Sequence, residues 1–204
     1  MQSLNLTSET VRTDGRLKSL FWPTVANAWD VDYLGQQGFW FCAFVAAFQL
    51  GMGILTGHPI QIVVALIAAS IYFVGGMGVR EKSWPAASCV FALYLLDTLT
   101  LAFTHLALTP GFVLRIFFLA LLFANVRATL IASRWQPTAS EEDQPQRFDV
   151  TLRDKLVDLW PPRFWPRLRT SFYAVGAIWL LASLLAFSAT VAIKAGLLPT
   201  PIIH

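Results

Sequence analysis

Apolar positions in this chain fall in long unbroken runs. They show neither the two-residue alternation of a half-buried strand nor the narrow stripe of a soluble amphipathic helix. Five runs stand out: 38–57 (GFWFCAFVAAFQLGMGILTG), 59–79 (PIQIVVALIAASIYFVGGMGV), 85–107 (PAASCVFALYLLDTLTLAFTHLA), 111–133 (GFVLRIFFLALLFANVRATLIAS) and 171–193 (SFYAVGAIWLLASLLAFSATVAI). Each is about twenty residues long, enough to cross a hydrocarbon core about 30 Å thick as a helix. Gly57-His58-Pro59, Arg80-Glu81-Lys82-Ser83 and Thr109-Pro110-Gly111 punctuate the first four. Connections this short make neighbouring runs antiparallel helical hairpins. In lipid a helix satisfies its own backbone hydrogen bonds, which an open sheet cannot do.

The pattern changes between the fourth and fifth runs. RWQPTASEEDQPQR, residues 134–147, is polar and proline-containing and reads as a flexible linker. In FDVTLRDKLVDLW, residues 148–160, Phe148, Leu152, Leu156, Leu159 and Trp160 recur at helical spacing with charges opposite. Thr151 and Asp154 have the spacing of a capping box, and Pro161-Pro162 is expected to stop the helix. Residues 148–169 therefore read as an amphipathic segment on a membrane surface, or as a helix packed beneath the bundle.

The expected fold is an all-α membrane protein with about five transmembrane helices and one interfacial amphipathic helix. It divides into an N-terminal arm (1–34), a four-helix core (35–133), the linker with its interfacial helix (134–169), and a fifth span with a short tail (170–204). Residues 1–30 hold no apolar stretch of signal-peptide length, so the first run is expected to act as an uncleaved anchor.

Composition agrees with this pattern. Of 204 residues, 56% are hydrophobic and only 13% charged, against about 25% charged in a soluble domain. The basic residues sit on alternate sides of the runs. Arg12, Arg16 and Lys18 precede the first. Arg80 and Lys82 follow the second. Arg134, Arg147, Arg153, Lys155, Arg163, Arg167 and Arg169 lie between the fourth and fifth. The positive-inside rule then places the N-terminus in the cytoplasm and the C-terminus outside. Trp40, Trp84, Trp135, Trp160 and Trp165, with Arg163, Arg167 and Arg169, are expected at the cytoplasmic membrane interface. Basic residues flanking spans also account for the pI near 9.1, so it does not point to nucleic acid.

Candidate chemistry is sparse. Asp97 interrupts VFALYLLDTLTLAF, and a carboxylate at the bilayer centre costs roughly 2.5–3.5 kcal/mol on insertion scales. Tyr94, Thr100 and Thr104 give that helix a partly polar stripe expected to face the bundle interior. Arg115 and Arg127 on the fourth run are the expected partners of Asp97. Asn125 and Thr129 add polar groups beside them, and Gln49 and Ser70 add one each on the first two runs.

Two readings of Asp97 stay open. It is either a proton or cation site on a pathway, or an ion pair that fixes helix packing. His58 and His105 fall at similar depth and are weak metal or haem candidates, without the further ligands a closed site needs. Cys42 and Cys89 lie inside apolar runs and read as small core residues. Gly75-Gly76-Met77-Gly78 reads as a helix terminus, because a phosphate loop would follow a strand. Ala43, Ala47 and Gly51, and Ala182 and Ala186, form small-residue faces that let helices approach closely.

Residues 74–133 resemble a pattern found in small uncharacterised bacterial integral membrane proteins. The matching positions are Gly78, Arg80 and Ser83 at a charged turn, Tyr94 and Asp97 in the next span, and Arg127 and Thr129 near the end of the one after. The resemblance implies a small helical bundle and no defined activity.

The expectation is therefore a multi-pass, non-enzymatic protein of the bacterial inner membrane, acting as an accessory or interaction subunit. The alternative is a small proton-coupled transporter or permease using Asp97, with a metal enzyme at His58 and His105 as a third class. No cofactor is expected. The expected partners are the lipid bilayer and a membrane protein or second copy meeting the small-residue faces.

Overall fold

The computed structural model describes residues 23–25, 28–104, 110–134 and 147–197. Among them the chain is helical with no strand, and five helices are long and apolar enough to cross a membrane. They are α1 (Ala28–Thr56), α2 (Pro59–Arg80), α3 (Trp84–Thr104), α4 (Pro110–Arg134) and a last helical run. That run begins as one short turn, α5 (Leu152–Asp154), widens into a π-helical turn (Lys155–Leu159), and continues as α6 (Trp160–Lys194).

The turns form as their residues dictate. Gly57 takes φ +67°, ending α1, and Pro59 opens α2 where its missing N–H costs nothing. The other end of α2 closes in a Schellman motif. Ser83 N donates to Gly78 O and Lys82 N to Val79 O, while Lys82 itself sits at φ +58°. A lysine stands here where glycine is favoured.

The helix α1 starts earlier than the apolar run alone suggests. Residues 28–34, assigned above to an N-terminal arm, are its first turns, because Val31, Leu34 and Gly35 are buried. The expected stop at Pro161-Pro162 also does not occur. Pro161 has no N–H to return to the Val157 carbonyl four residues back, and its ring would crowd that carbonyl in a regular helix. The π turn relieves the crowding, with Trp160 N reaching back five residues to Lys155 O. Arg80 Nε donates to the Val157 carbonyl at 3.2 Å in place of the missing N–H. The helix therefore runs on without a break between interfacial segment and fifth span. Ahead of it, the Thr151–Asp154 capping box is present in both directions.

The most buried helix is α2. It pairs most extensively with α1 and also meets α3 and α6, while α4 packs on α1 and α3. Burial is concentrated at one end of the bundle. In α1 the buried residues run from Val31 to Ala46, with Gly53 alone beyond. In α2 they begin at Ala65, α3 has none after Thr98, and α6 has none after Gly176. Phe39, Cys42, Val90, Leu122, Trp165 and Phe172 form the centre of this packed half.

Glycines make the close approach possible. A Cβ on Gly76 would lie 2.7 Å from Cys42 Cβ, one on Gly75 would lie 2.5 Å from Val90 Cγ2, and one on Gly78 would lie 2.5 Å from Ala86 Cβ. The Gly75-Gly76-Met77-Gly78 cluster is thus the seam where α1, α3 and α6 press on α2. The opposite end is more open.

Candidate functional site

The helices part at the open end, around a cleft of about 450 Å³ between α1, α2, α3 and α6. Its polar groups are Gln49 and Thr56 from α1, Gln61 and Tyr72 from α2, Asp97 and Thr100 from α3, and Ser183 from α6. Met52, Val64, Leu93, Leu96 and Trp179 supply much of its apolar wall. Asp97 lies seven residues from the end of α3, about 10 Å along the axis at a rise of about 1.5 Å per residue.

Arg115 on α4 donates from Nη1 to Asp97 Oδ2 at 2.5 Å, and its guanidinium lies 5.9 Å from the Tyr94 ring centroid. The pair is not enclosed by protein. The Asp97 side chain is 49% exposed and that of Arg115 28%. The face of α3 that enters the core is the neighbouring one, with Tyr94 and Thr98 buried and Thr98 Oγ1 returning its proton to the Tyr94 carbonyl. Asp97 thus lines the cleft between the helices, beside the packed face of α3 and not within it. Thr104 is exposed and bonds only within its own helix, to Thr100 O and Leu101 O.

The other polar residues separate from this pair. Arg127 donates to the Pro23 carbonyl at 2.8 Å, so it ties α4 to the segment before α1 and does not serve Asp97. Asn125 is buried and donates to Leu121 O, while its Oδ1 has no partner among the described residues. It sits against Gly38, where a Cβ would come within 2.5 Å of that oxygen. Thr129 bonds back to Asn125 O.

No protein-family model matches this chain, and no curated protein or solved structure is significantly similar to it.

A second polar cluster occupies the packed end, and its centre is Arg80. The sequence reading treated Arg80 as a loop charge. It is 2% exposed and donates in three directions, to α1 and to two residues of the π-helical turn. Its Nη1 meets Asp32 Oδ1 of α1 at 2.5 Å, its Nη2 meets Asp158 Oδ1 at 2.6 Å, and its Nε meets the Val157 carbonyl. Asp158 Oδ2 in turn accepts from the Phe148 amide. Nearby, Arg147 bonds Glu81 at 2.6 Å. A guanidinium can serve three directions because its donors are fixed in one plane. Lys82, just outside α2, is half-buried, and burial pulls its ammonium below the ordinary lysine value, partly offset by Asp32.

The sequence did offer one signal for this junction. Arg80 stands one residue before the charged turn, in the last helical turn of α2, where a cation suits the helix dipole.

The interfacial assignments divide. Trp84 and Trp160 are exposed, as are Arg163, Arg167 and Arg169, and Arg163 lies 5.9 Å from the Phe164 ring centroid. Trp165 instead turns inward and packs edge-on against Phe172 and Tyr173, filling space that Gly78 leaves. Trp40 Nε1 is likewise shielded and has no partner among the described residues, with the Arg153 guanidinium 6.0 Å from the ring centroid. These two indoles pack against bundle residues.

Trp135 and His105 lie outside the described residues. His58 is exposed at the α1–α2 turn. Among the described residues no group of three or more metal-ligating side chains comes together. Cys42 is fully buried and Cys89 partly so, both as free thiols. On the small-residue faces, Ala47, Gly51, Ala182 and Ala186 are exposed and Ala43 is partly so, and a Cβ on Gly51 would meet nothing within 4 Å.

Proposed function

We propose that this chain is a multi-pass protein of the bacterial inner membrane, with its packed, basic end in the cytoplasm, and that it binds a small polar solute in its outer half. The role is that of a non-catalytic binding or transport protein. One observation carries the reading: the carboxylate, two glutamines and several hydroxyls of the open half converge on a cleft. In hydrocarbon each of these groups costs free energy unless it finds a polar partner. A concave site with an apolar wall and a few convergent polar groups is the usual form of a small-molecule pocket. The run of Arg80, Lys82, Arg147 and the α6 arginines at the other end supports the orientation.

Cysteine accessibility tests this in intact cells. In a Cys42→Ala, Cys89→Ala background, Ser183→Cys is expected to react with a membrane-impermeant thiol reagent added from outside. Leu185→Cys, on the exposed apolar side of α6, is expected to stay unreactive. If Ser183→Cys is as inert as Leu185→Cys, the cleft is filled by lipid and the reading fails.

An accessory role is the second reading. It is favoured by α6, whose residues beyond Gly176 are nowhere buried and whose Ala182 and Ala186 lie exposed one turn apart. Disulfide trapping through Ala182→Cys tests it. A single defined adduct supports a partner helix there, and its absence leaves that face to lipid.

A further inference from the structure

We infer that the solute held by the cleft is a small organic cation, and that Arg115 is an internal counter-ion with which it competes for Asp97. The inference rests on the polar-solute reading above and specifies the ligand's charge.

The sign comes from the lining. Among the described residues Asp97 lines it and no lysine, arginine or histidine does. The basic partner stands behind the carboxylate: Arg115 belongs to α4, which contributes nothing to the cleft wall. Among the described residues Arg115 engages Asp97 through Oδ2 alone, which leaves Oδ1 for an occupant. The same wall offers the aromatic rings of Trp179 and Tyr72, and ring faces attract cations within about 6 Å. Gln49 and Gln61 supply carbonyl oxygens that accept from an ammonium N–H. An anion would meet the Asp97 carboxylate with no cationic side chain among the described lining residues to offset it. A neutral solute would leave the half-exposed carboxylate unused. A volume of about 450 Å³ lies in the range of small-ligand pockets.

Arg115 then gives the site a testable asymmetry. If the pair merely holds α3 to α4, removing either member has the same consequence. If Arg115 competes with the ligand, removing it frees the carboxylate and binding tightens, whereas removing Asp97 abolishes it.

Binding of three probes of similar size and different charge decides the matter, measured by calorimetry on the full chain in nanodiscs: benzylammonium, benzyl alcohol and benzoate. The cation is expected to bind at least tenfold more tightly than the other two. Asp97→Asn is expected to weaken it at least tenfold, and Arg115→Gln to tighten it severalfold. Equal losses in both variants overturn the competition. Trp179→Leu leaves the ion pair intact and should weaken the cation severalfold, so unchanged binding there overturns the site even if the charge variants fail to fold. Preferential binding of the alcohol or benzoate overturns the cation inference and leaves the polar cleft standing. No binding by any probe, with Ser183→Cys still labelled from outside, likewise overturns the cation inference alone. No binding together with an inert Ser183→Cys overturns the parent reading as well.

Discussion

Two ion pairs in this protein share a contact distance of 2.5 Å and almost nothing else. Arg80 is enclosed where glycine-lined helices meet, bonded to two carboxylates and a backbone carbonyl from two separate segments. Arg115 and Asp97 face each other across two neighbouring helices at the open end, with half of the aspartate side chain uncovered. A buried charge must be fully partnered, because losing one partner strands the others in a low dielectric. A half-exposed pair can exchange its partner for water or a ligand at little cost. The first arrangement suits a fastener and the second suits a site.

The sharpest way to break this contrast is at Arg80. Arg80→Ala should cost about 3–5 kcal/mol, the usual price of breaking a buried pair. It strands Asp32 and Asp158 and takes away the donor to the Val157 carbonyl beside Pro161. Arg80→Lys keeps the charge but not the fork, so it should recover only part of that loss. Reversible unfolding in mixed micelles reads both. A loss below about 1 kcal/mol for Arg80→Ala would remove the distinction between the two ends.

A smaller effect sharpens the picture of the packed end. Lys82 occupies a left-handed C′ position, and Lys82→Gly should stabilise the protein by about 1 kcal/mol by relieving that strain. Burial also holds the Lys82 pKa below its ordinary value of 10.5. The unfolded chain therefore binds this proton more tightly than the folded one. Stability should be insensitive to this group below its folded pKa and rise with pH from there towards 10.5. Lys82→Gly should erase that alkaline rise, which unfolding curves across the window would reveal. A rise of the same size in the variant would assign it to another group.

The smallest expected effect lies at the open end. Asp97→Asn should change stability by less than about 1 kcal/mol, because the carboxylate is half exposed and its neighbours can be solvated from the cleft. A loss comparable to that of Arg80→Ala would make the open-end pair structural and return Asp97 to the role of a helix clamp.

The residues differ in how far their roles could be read in advance. The four short-loop helices and the apolar part of the fifth were legible because length, apolar run and punctuation are local properties. Arg115 as the neighbour of Asp97 was legible too, since antiparallel adjacent helices bring similar depths together. The direction Asp97 faces was not. A single helical step separates it from buried Thr98, and only the splay of α1, α2, α3 and α6 decides which side of the step meets a cleft. The packing of Trp40 and Trp165 was not legible either, for a related reason. An indole near a helix end settles at the headgroups unless a neighbour's missing side chain leaves room inside, as Gly78 does for Trp165.

What the sequence determined by itself is the helical class, the number of apolar spans and the uneven placement of positive charge. A helix closes its own hydrogen bonds, so about twenty apolar residues suffice to specify one. Only the tertiary structure decided that Arg80 binds partners 48 and 78 positions away along the chain, and that a helix runs through Pro161. The donor that replaces the proline's missing N–H comes from another helix, and so does the room that a glycine gives its neighbour. Such contacts exist only once the helices have met.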